Sequence, residues 1–549
     1  MIDLIIKLIT PIFEGMGAQA TDVANYVNQC SSYVYGLLAA IVALIVLLVA
    51  AHWLKKGNRA VVRCTSVLAF LLAVLILVNG VCYGPMKSTL STFLSGGGDL
   101  SLSEETIAQS RAVVKEIGEE GIVLAKNESL LPLSAETKNI NVFGWASIDP
   151  IYGGTGSGGS STATNVSILA SLADAGYVVN DEILAIYRGY DKVRGEIGMS
   201  GQDWTLPEPT VDVYTDEIMA NAKSHSDVAL IVISRSGGED ADLPNDMNAV
   251  IKGTYTQYKD DGTMIHHYTD AKYTNNGSYD DFEPGMHYLE LSVTEQNLVA
   301  KVCENFDNVI VIVNANNAME LGWTNDYDQI KAVLLAPGGG ITGFTAIGEI
   351  LNGTVNPSGH TTDTYIKDLT ATPYFQNIGH FRYNNTQDVQ TANADASSYQ
   401  GIVSFVNYVE GIYVGYKFYE TAYVESEAAK AAAAAAPAEE PAEGEEAPEE
   451  EAAPAEPAWI EGFNYDDYVQ YPFGYGLSYT TFEQKIENFK ADGDNVTFDV
   501  KVTNTGSVAG KSVVEVYFNP PYTNGGIEKA AVNLVDYAKT STLDAGASE

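Results

Sequence analysis

Apolar positions fall in two kinds of pattern along the chain. Near the start, "GLLAAIVALIVLLVAAHWL" (Gly36 to Leu54) and "TSVLAFLLAVLILVNGVCY" (Thr65 to Tyr83) are apolar almost throughout. Each approaches the roughly 20 residues that carry a helix across a bilayer. The first begins too far from Met1 to be a cleaved signal peptide. Between them "KKGNRAVVR" holds Lys55, Lys56, Arg59 and Arg63, whereas the outer flanks have few basic residues. The positive-inside bias puts that loop in the cytoplasm, with residues 1–35 and everything after Tyr83 on the extracytoplasmic side. A buried hairpin of a soluble domain is the competing reading; run length and flanking charge favour a two-pass membrane hairpin over 36–83.

Beyond it the pattern changes. "LSLSEETIAQSRAVVKEIGEEG", from Leu100, reads as an amphipathic helix capped by Ser103, inside a helical connector over 84–136. From Asn139 short β-branched runs alternate with helical stretches: "INVFG", Ala163 to Ala175, "DVALIVI", "TEQNLVAKVCENF", "NVIVIVN", "KAVLLAP" and "TGFTAIGEILNG". Apolar runs without period-2 alternation, separated by helices, predict a mostly parallel sheet covered on both faces. The fold class is therefore α/β, an α/β sandwich over 137–424 that is completed by 459–483. Asp246 to Tyr288 is polar, Tyr-rich and glycine-punctuated, and reads as a long functional loop. Residues 425–458 are Ala/Glu/Pro low complexity, a solvated spacer with a partly helical alanine tract. After it, "VTFDVKVTNTGSVAGKSVVEVYFNPP" has the period-2 alternation and turn of an antiparallel β-sandwich. Only about two further strands fit after Pro521, so 484–549 reads as a partial sandwich against the roughly seven strands of an immunoglobulin-like fold.

Charge narrows the partners. With 71 acidic residues against 30 basic ones and a formal net charge of −41, the chain repels nucleic acid and anionic membrane surfaces. Cys30, Cys64, Cys82 and Cys303 show no CxxC or Cys/His spacing, so neither a zinc site nor a disulfide framework is expected. Cys303, inside a predicted helix, reads as core packing. His266 and His267 are adjacent and diverge on a strand or a helix, which makes them poor joint metal ligands.

Two loops remain as candidate chemistry. "SRSGGEDADLP" (Ser234 to Pro244) puts Glu239 six residues beyond Ile233, at the carboxyl end of a predicted strand, where open α/β sheets hold ligands. Gly237 and Gly238 permit a tight turn and close approach of a ligand. A carboxyl group there serves as general acid if burial or neighbouring anions raise its pKa, and Asp240 and Asp242 are such anions. A solvated turn or helix cap is the plain alternative. In "YGGTGSGGSS", Gly154, Gly156 and Gly159 formally match GxGxxG. The strand of "INVFG" ends ten residues earlier and no GK[ST] follows, so a ligand-bordering or structural loop is expected rather than a nucleotide cradle. No GxSxG elbow occurs.

Taken in order, "EEGIVLAKNESLLPL", "NVFGWAS", "GGTGSGG", "VISRSGGEDADLP", "YLELSVTEQNLV", "NVIVIVNANNAMELGW", "LAPGGGITGFTAIGEILNGTVNPSGH", "YVEGIYVGYKFYETA" and "YPFGYGLSYTTFE" resemble the family 3 glycoside hydrolases, covering nearly everything from Leu100 onward. The resemblance is to their α/β sandwich domain and the fibronectin type III-like domain after it. It implies retaining hydrolysis of terminal β-linked sugars, β-glucosides first, by two carboxylates about 5 Å apart and without a cofactor or metal. It assigns Glu239 the acid/base role, makes Asp240 and Asp242 pKa-setting neighbours or sugar hydroxyl acceptors, and makes the loop of Gly154 and Gly156 a border of the substrate site. The nucleophile belongs to a (β/α)8 barrel, expected in a longer product with the barrel last or in a partner chain. Asp203 and Trp204 in "GQDWTLP" lack the barrel strand a nucleophile motif follows, so no nucleophile is assigned. His360 in "NPSGH" stands where relatives often carry Arg. The contrasting expectation is a non-catalytic surface protein that binds glycans or a partner on the same fold.

Overall fold

A computed structural model describes residues 30–87, 102–155, 158–160, 164–195, 197–198, 201–239, 243–255, 271–274, 281–375, 381–382, 404–405, 407–435, 463–522 and 526–549, besides positions 2, 6–7 and 27. The chain divides into two compact units: Met1–Glu104 with Asp388–Ile402, and the rest.

In the first unit, α1 (Ser31–Ala50) and α2 (Lys56–Tyr83) are both long and apolar enough to cross a membrane. They pack through small residues. A Cβ on Gly80 would lie 2.5 Å from the Tyr33 ring, and one on Gly36 would lie 3.0 Å from Leu77. The basic segment expected as a loop is instead mostly helix, for α2 begins at Lys56. Lys and Arg are good helix formers, and the Arg59 guanidinium donates to the carbonyls of His52 (2.7 Å) and Leu54 (3.2 Å) at the end of the preceding turn.

In the second unit, α3 (Glu104–Gly121) starts directly after Ser103 and leads into a six-stranded sheet. Its strands are β1 (Val123–Asn127), β2 (Asn139–Phe143), β3 (Val178–Val179), β4 (Val228–Arg235), β5 (Asn308–Ala315) and β6 (Ile330–Leu335), in the order β1-β6-β5-β4-β2-β3. All neighbours are parallel except β1, which runs antiparallel to β6 along one edge. That edge strand lies within the segment expected as a helical connector. It is five residues long and ends in the polar pair Lys126 and Asn127, so it carries too little pattern to show beforehand.

The helices are α4 (Ile168–Asp174), α5 (Asp181–Gly189), α6 (Asp216–His225), α7 (Val293–Asn305) and α8 (Thr345–Leu351). All eight residues of β4 are buried because its alternate side chains serve two cores. Ala229, Ile231 and Ile233 pack with α5, α6 and α7; Val228, Leu230 and Val232 pack with α4 and α8. Burial on both faces is why these strands read as unbroken apolar runs. Cys303 on α7 is a core residue whose thiol burial pushes up to about 12. The helix expected over Ala163 to Ala175 begins only at Ile168, where the Ser167 side chain accepts from the Ala170 N–H.

A further helix, α9 (Tyr416–Ala435), runs into the alanine tract. The chain then forms two antiparallel hairpins, β7 (Phe482–Asp492) with β8 (Asn495–Asn504) and β9 (Val513–Phe518) with β10 (Asn533–Lys539). Beyond Pro521 the described residues add β10 and, outside named strands, the isolated bridges Gly510 to Leu543 and Thr503 to Ser548.

Candidate functional site

Strand order locates the site. From β2 the chain passes to β3 on one side and then to β4 on the other, so the loops leaving β2 and β4 diverge and open a crevice at their carboxyl ends. Glu239 is on the β4 loop. The strand runs on to Arg235, two residues further than expected, so Glu239 lies four residues past its end and is exposed.

The β2 loop returns to meet it. Thr155 pairs with Gly238 in an isolated parallel bridge; its N–H donates to the Gly237 carbonyl at 3.3 Å and its Oγ1 to the Glu239 carbonyl at 2.9 Å. Gly238 is sterically required by the backbone, and Gly237 gives room to the Asn317 side chain. A Cβ at Gly238, where φ is +151°, would lie 2.3 Å from the Thr155 nitrogen, and one at Gly237 would lie 2.1 Å from Asn317 Nδ2. Gly154 sits against the same turn, its Cβ position 3.3 Å from the Gly237 carbonyl oxygen. The glycine loop and the acid loop, 84 residues apart at Thr155 and Glu239, are thus one structure. Gly156, Asp240, Asp242, His266 and His267 lie outside the described residues.

Three asparagines at the end of β5 complete the arrangement, and the motif reading did not single them out. Asn314 is fully buried and clamps Ile151, its Oδ1 accepting from the Ile151 N–H at 2.6 Å and its Nδ2 donating to the carbonyls of Ile151 (3.0 Å) and Ala336 (2.9 Å). Asn316 Nδ2 donates to the carbonyls of Gly153 (3.0 Å) and Gly237 (3.3 Å), while its Oδ1 accepts from the Gly338 N–H (3.3 Å). Asn317 lies against Gly237. The available signal was "NVIVIVNANN", an apolar strand that runs straight into amides.

The root of the acid loop is a buried ion pair. Arg235 uses all five of its N–H donors. Nε bonds the Tyr288 carbonyl (2.7 Å), Nη1 the Ser234 carbonyl and Glu295 Oε1 (both 2.8 Å), and Nη2 the Glu290 carbonyl and Glu295 Oε2 (both 2.5 Å). Glu295 is also the third residue of a capping box with Ser292 at the start of α7.

At the end of β2, Glu208 is buried and accepts from the Trp145 N–H (2.7 Å) and the Tyr214 hydroxyl (3.1 Å). Burial raises its pKa to about 8, with Glu295 and Asp281 pushing the same way and the Trp145 N–H opposing. In the unfolded chain a Glu loses its proton near pH 4.3. Between that pH and about 8 the folded state holds the extra proton, so stability falls as pH rises. Glu208→Gln is neutral throughout and keeps an acceptor for Trp145. It is expected to gain about 3 kcal/mol on the wild type between pH 5.5 and 8.5, read as the difference in urea unfolding free energy; parallel curves for the two proteins would place the Glu208 pKa in its ordinary range.

His287, Glu290 and Glu320 bring three possible metal-ligating atoms within 4.8 Å of one another. His287 Nδ1 accepts from the Leu289 N–H (3.2 Å), so the ring proton is on Nε2 and faces Glu320 Oε1 at 3.0 Å. A metal on Nε2 needs that proton on Nδ1, which is already an acceptor; the group suits a shared proton better than a metal. Asp203 accepts from the Thr205 N–H and hydroxyl, and Trp204 is fully buried, so this pair is structural. His360 rests with Nδ1 2.6 Å from the Gly474 carbonyl oxygen.

Residues 122–416, more than half of the chain, match the model of the glycosyl hydrolase family 3 C-terminal domain. The chain is 29% identical over 433 residues to a beta-glucosidase of Ruminococcus albus, covering 78% of this chain and 34% of that protein. It is 29% identical over 449 residues to beta-glucosidase A of Butyrivibrio fibrisolvens, covering 78% and 44%. Among solved structures, a beta-glucosidase from Paenibacillus barengoltzii aligns with a TM-score of 0.55 at 28% identity over 80% of this chain and 37% of that one. Beta-glucosidase 3B from Thermotoga neapolitana aligns with a TM-score of 0.53 at 26% identity over 80% and 47%. The chain thus spans a third to a half of the length of these relatives. With the matched span running from the edge strand β1 through the acid loop and α7 to the start of α9, the chain belongs to glycosyl hydrolase family 3, of which it carries the C-terminal domain.

Proposed function

We propose that this chain supplies the acid/base domain of a membrane-anchored, retaining β-glucosidase-type glycoside hydrolase, with Glu239 as the acid and then the base. One observation carries the reading: the matched domain presents Glu239 exposed on a two-glycine turn at the crevice between β2 and β4, buttressed by the glycine loop. A carboxyl on such a turn reaches a sugar bound across the crevice while its backbone stays fixed. The nucleophilic carboxylate comes from a (β/α)8 barrel in the same polypeptide or a partner chain, about 5 Å from Glu239 when sugar is bound. In this reading α1 and α2 span the membrane, the family domain lies on the extracytoplasmic side, the Ala/Glu/Pro segment is a spacer, and β7 to β10 belong to a fibronectin type III-like domain.

The test is stereochemical. The whole protein with its barrel, given an aryl β-glucoside, is expected to release β-glucose first, seen by proton NMR before mutarotation. α-Glucose as the first product would rule out the double displacement, and failure to cleave any aryl β-glycoside would rule out the hydrolase.

A further inference from the structure

The turn between α1 and α2 is opposite in charge to the chain as a whole. Between Asp22 and Asp99 the sequence has no acidic residue, while Lys55, Lys56, Arg59 and Arg63 crowd around the turn of a chain whose net charge is −41. The two arginines are placed differently. Arg59 is partly buried and donates to the carbonyls of His52 and Leu54, which closes the end of the first helix. Arg63, one turn further along α2, is exposed and makes no hydrogen bond or ion pair among the described residues.

Arg63 lines an open groove of about 400 Å³ together with Ile45, Leu48, Val49, His52 and Trp53. Those five lie three and four residues apart, on one stripe of α1 and of the single turn, Ala51–Trp53, that continues it. The groove is therefore graded. It is apolar at Ile45, Leu48 and Val49 and polar at His52, and at the polar end Trp53 stands 77% exposed, as tryptophans do where a bilayer meets water. Arg63 is roughly 10 Å along α2 from Lys56, the first residue of that helix. A guanidinium at that depth needs an anion beside it, and the hairpin has no carboxylate to offer.

An occupant must be anionic at one end and apolar along its length. A soluble anion such as inorganic phosphate leaves Ile45, Leu48 and Val49 uncovered. A zwitterionic phospholipid covers them but brings a cationic group against Lys55, Lys56 and Arg63. An anionic phospholipid meets both demands, with phosphate oxygens for the guanidinium and a chain for the apolar stripe. We propose that this groove holds one anionic phospholipid of the cytoplasmic leaflet, its phosphate on Arg63 and an acyl chain along Ile45, Leu48 and Val49. The proposal rests on the reading of α1 and α2 as membrane-spanning and is independent of the catalytic one.

Trp53 is the only tryptophan of the hairpin, so its fluorescence reports on the groove. The full chain is reconstituted in phosphatidylcholine vesicles in which a fixed fraction of the lipid, either phosphatidylglycerol or phosphatidylcholine, carries chains brominated near the headgroup, which quench tryptophan on contact. Phosphatidylglycerol is expected to compete for the groove about fivefold better than phosphatidylcholine, and this preference is expected to survive about 0.5 M salt, which screens a diffuse surface potential. Arg63→Gln brings the ratio close to one, the charge-keeping Arg63→Lys retains most of it, and Lys56→Gln, outside the groove, changes it by less than about twofold. Equal quenching by the two lipids, or equal losses from Arg63→Gln and Lys56→Gln, overturns the site while leaving the hairpin in the membrane. Weak quenching by both that strengthens as the protein is diluted in lipid puts a second copy of the chain in the groove and overturns it too. No quenching by either lipid at any dilution takes the hairpin out of the bilayer, and the membrane-spanning reading falls with the inference.

Discussion

Glu239→Gln is expected to slow aglycone release from an aryl β-glucoside with a weakly acidic phenol by about 10²–10⁴-fold, while on a dinitrophenyl β-glucoside, where the second step becomes limiting, sodium azide is expected to restore turnover with β-glucosyl azide as the product. In double displacement the same carboxyl group first protonates the leaving oxygen and then takes the proton of the attacking water. Glutamine keeps the shape and does neither. A dinitrophenolate needs no proton to leave, so that substrate still glycosylates the variant quickly and the slow second step becomes visible as a burst. Azide is already an anion and attacks without a base. The loop is held through the Gly237 and Glu239 carbonyls by Thr155 and Asn316, backbone contacts that glutamine leaves in place. A Gln variant within twofold of wild type on the poor leaving group removes Glu239 from the mechanism; equal losses on both leaving groups, without azide rescue, point to damage elsewhere.

What the sequence discloses follows from how local each signal is. β4, β5 and β6 stand out because burial on both faces makes runs such as "DVALIVI" continuous, and α7 stands out because the Ser292–Glu295 capping box is written within four residues. The position of Glu239 was legible from its place after such a run, directly behind Gly237 and Gly238. The arrangement that holds it was not. Asn314 meets Ile151 and Asn316 meets Gly153 across 163 residues each, and Glu208 meets Trp145 across 63. Side chains that converge from such distances leave no period in the chain. The basic turn after α1 failed differently: Lys56 and Arg59 serve a cytoplasmic flank and a helix start equally well, and the membrane argument uses only the first property.

Breaking the Arg235–Glu295 pair is expected to cost the fold more from the arginine side than from the glutamate side. Removing one member of a buried ion pair typically costs 3–5 kcal/mol because the other charge is left without a counter-ion. Here the two ends differ. Glu295→Gln keeps an oxygen for an Arg235 N–H, and the guanidinium still reaches the carbonyls of Ser234, Tyr288 and Glu290. Arg235→Met strips those three carbonyls and the Glu295 carboxylate of their donor at once in a fully buried place. About 2 kcal/mol is expected for Glu295→Gln and about 4 kcal/mol or more for Arg235→Met, from urea unfolding at pH 7. Equal costs would mean that charge alone matters and that the carbonyl contacts contribute nothing. The functional consequence travels one residue further along the chain. Ser236, whose N–H donates to the Tyr288 hydroxyl at 3.2 Å, begins the turn that presents Glu239, and Tyr288 is itself held through its carbonyl by Arg235. Hydrogen exchange at the amides of residues 236–239 should therefore quicken in Arg235→Met by more than global unfolding accounts for, and an unchanged local rate would separate the stability of the sheet from the rigidity of the acid loop.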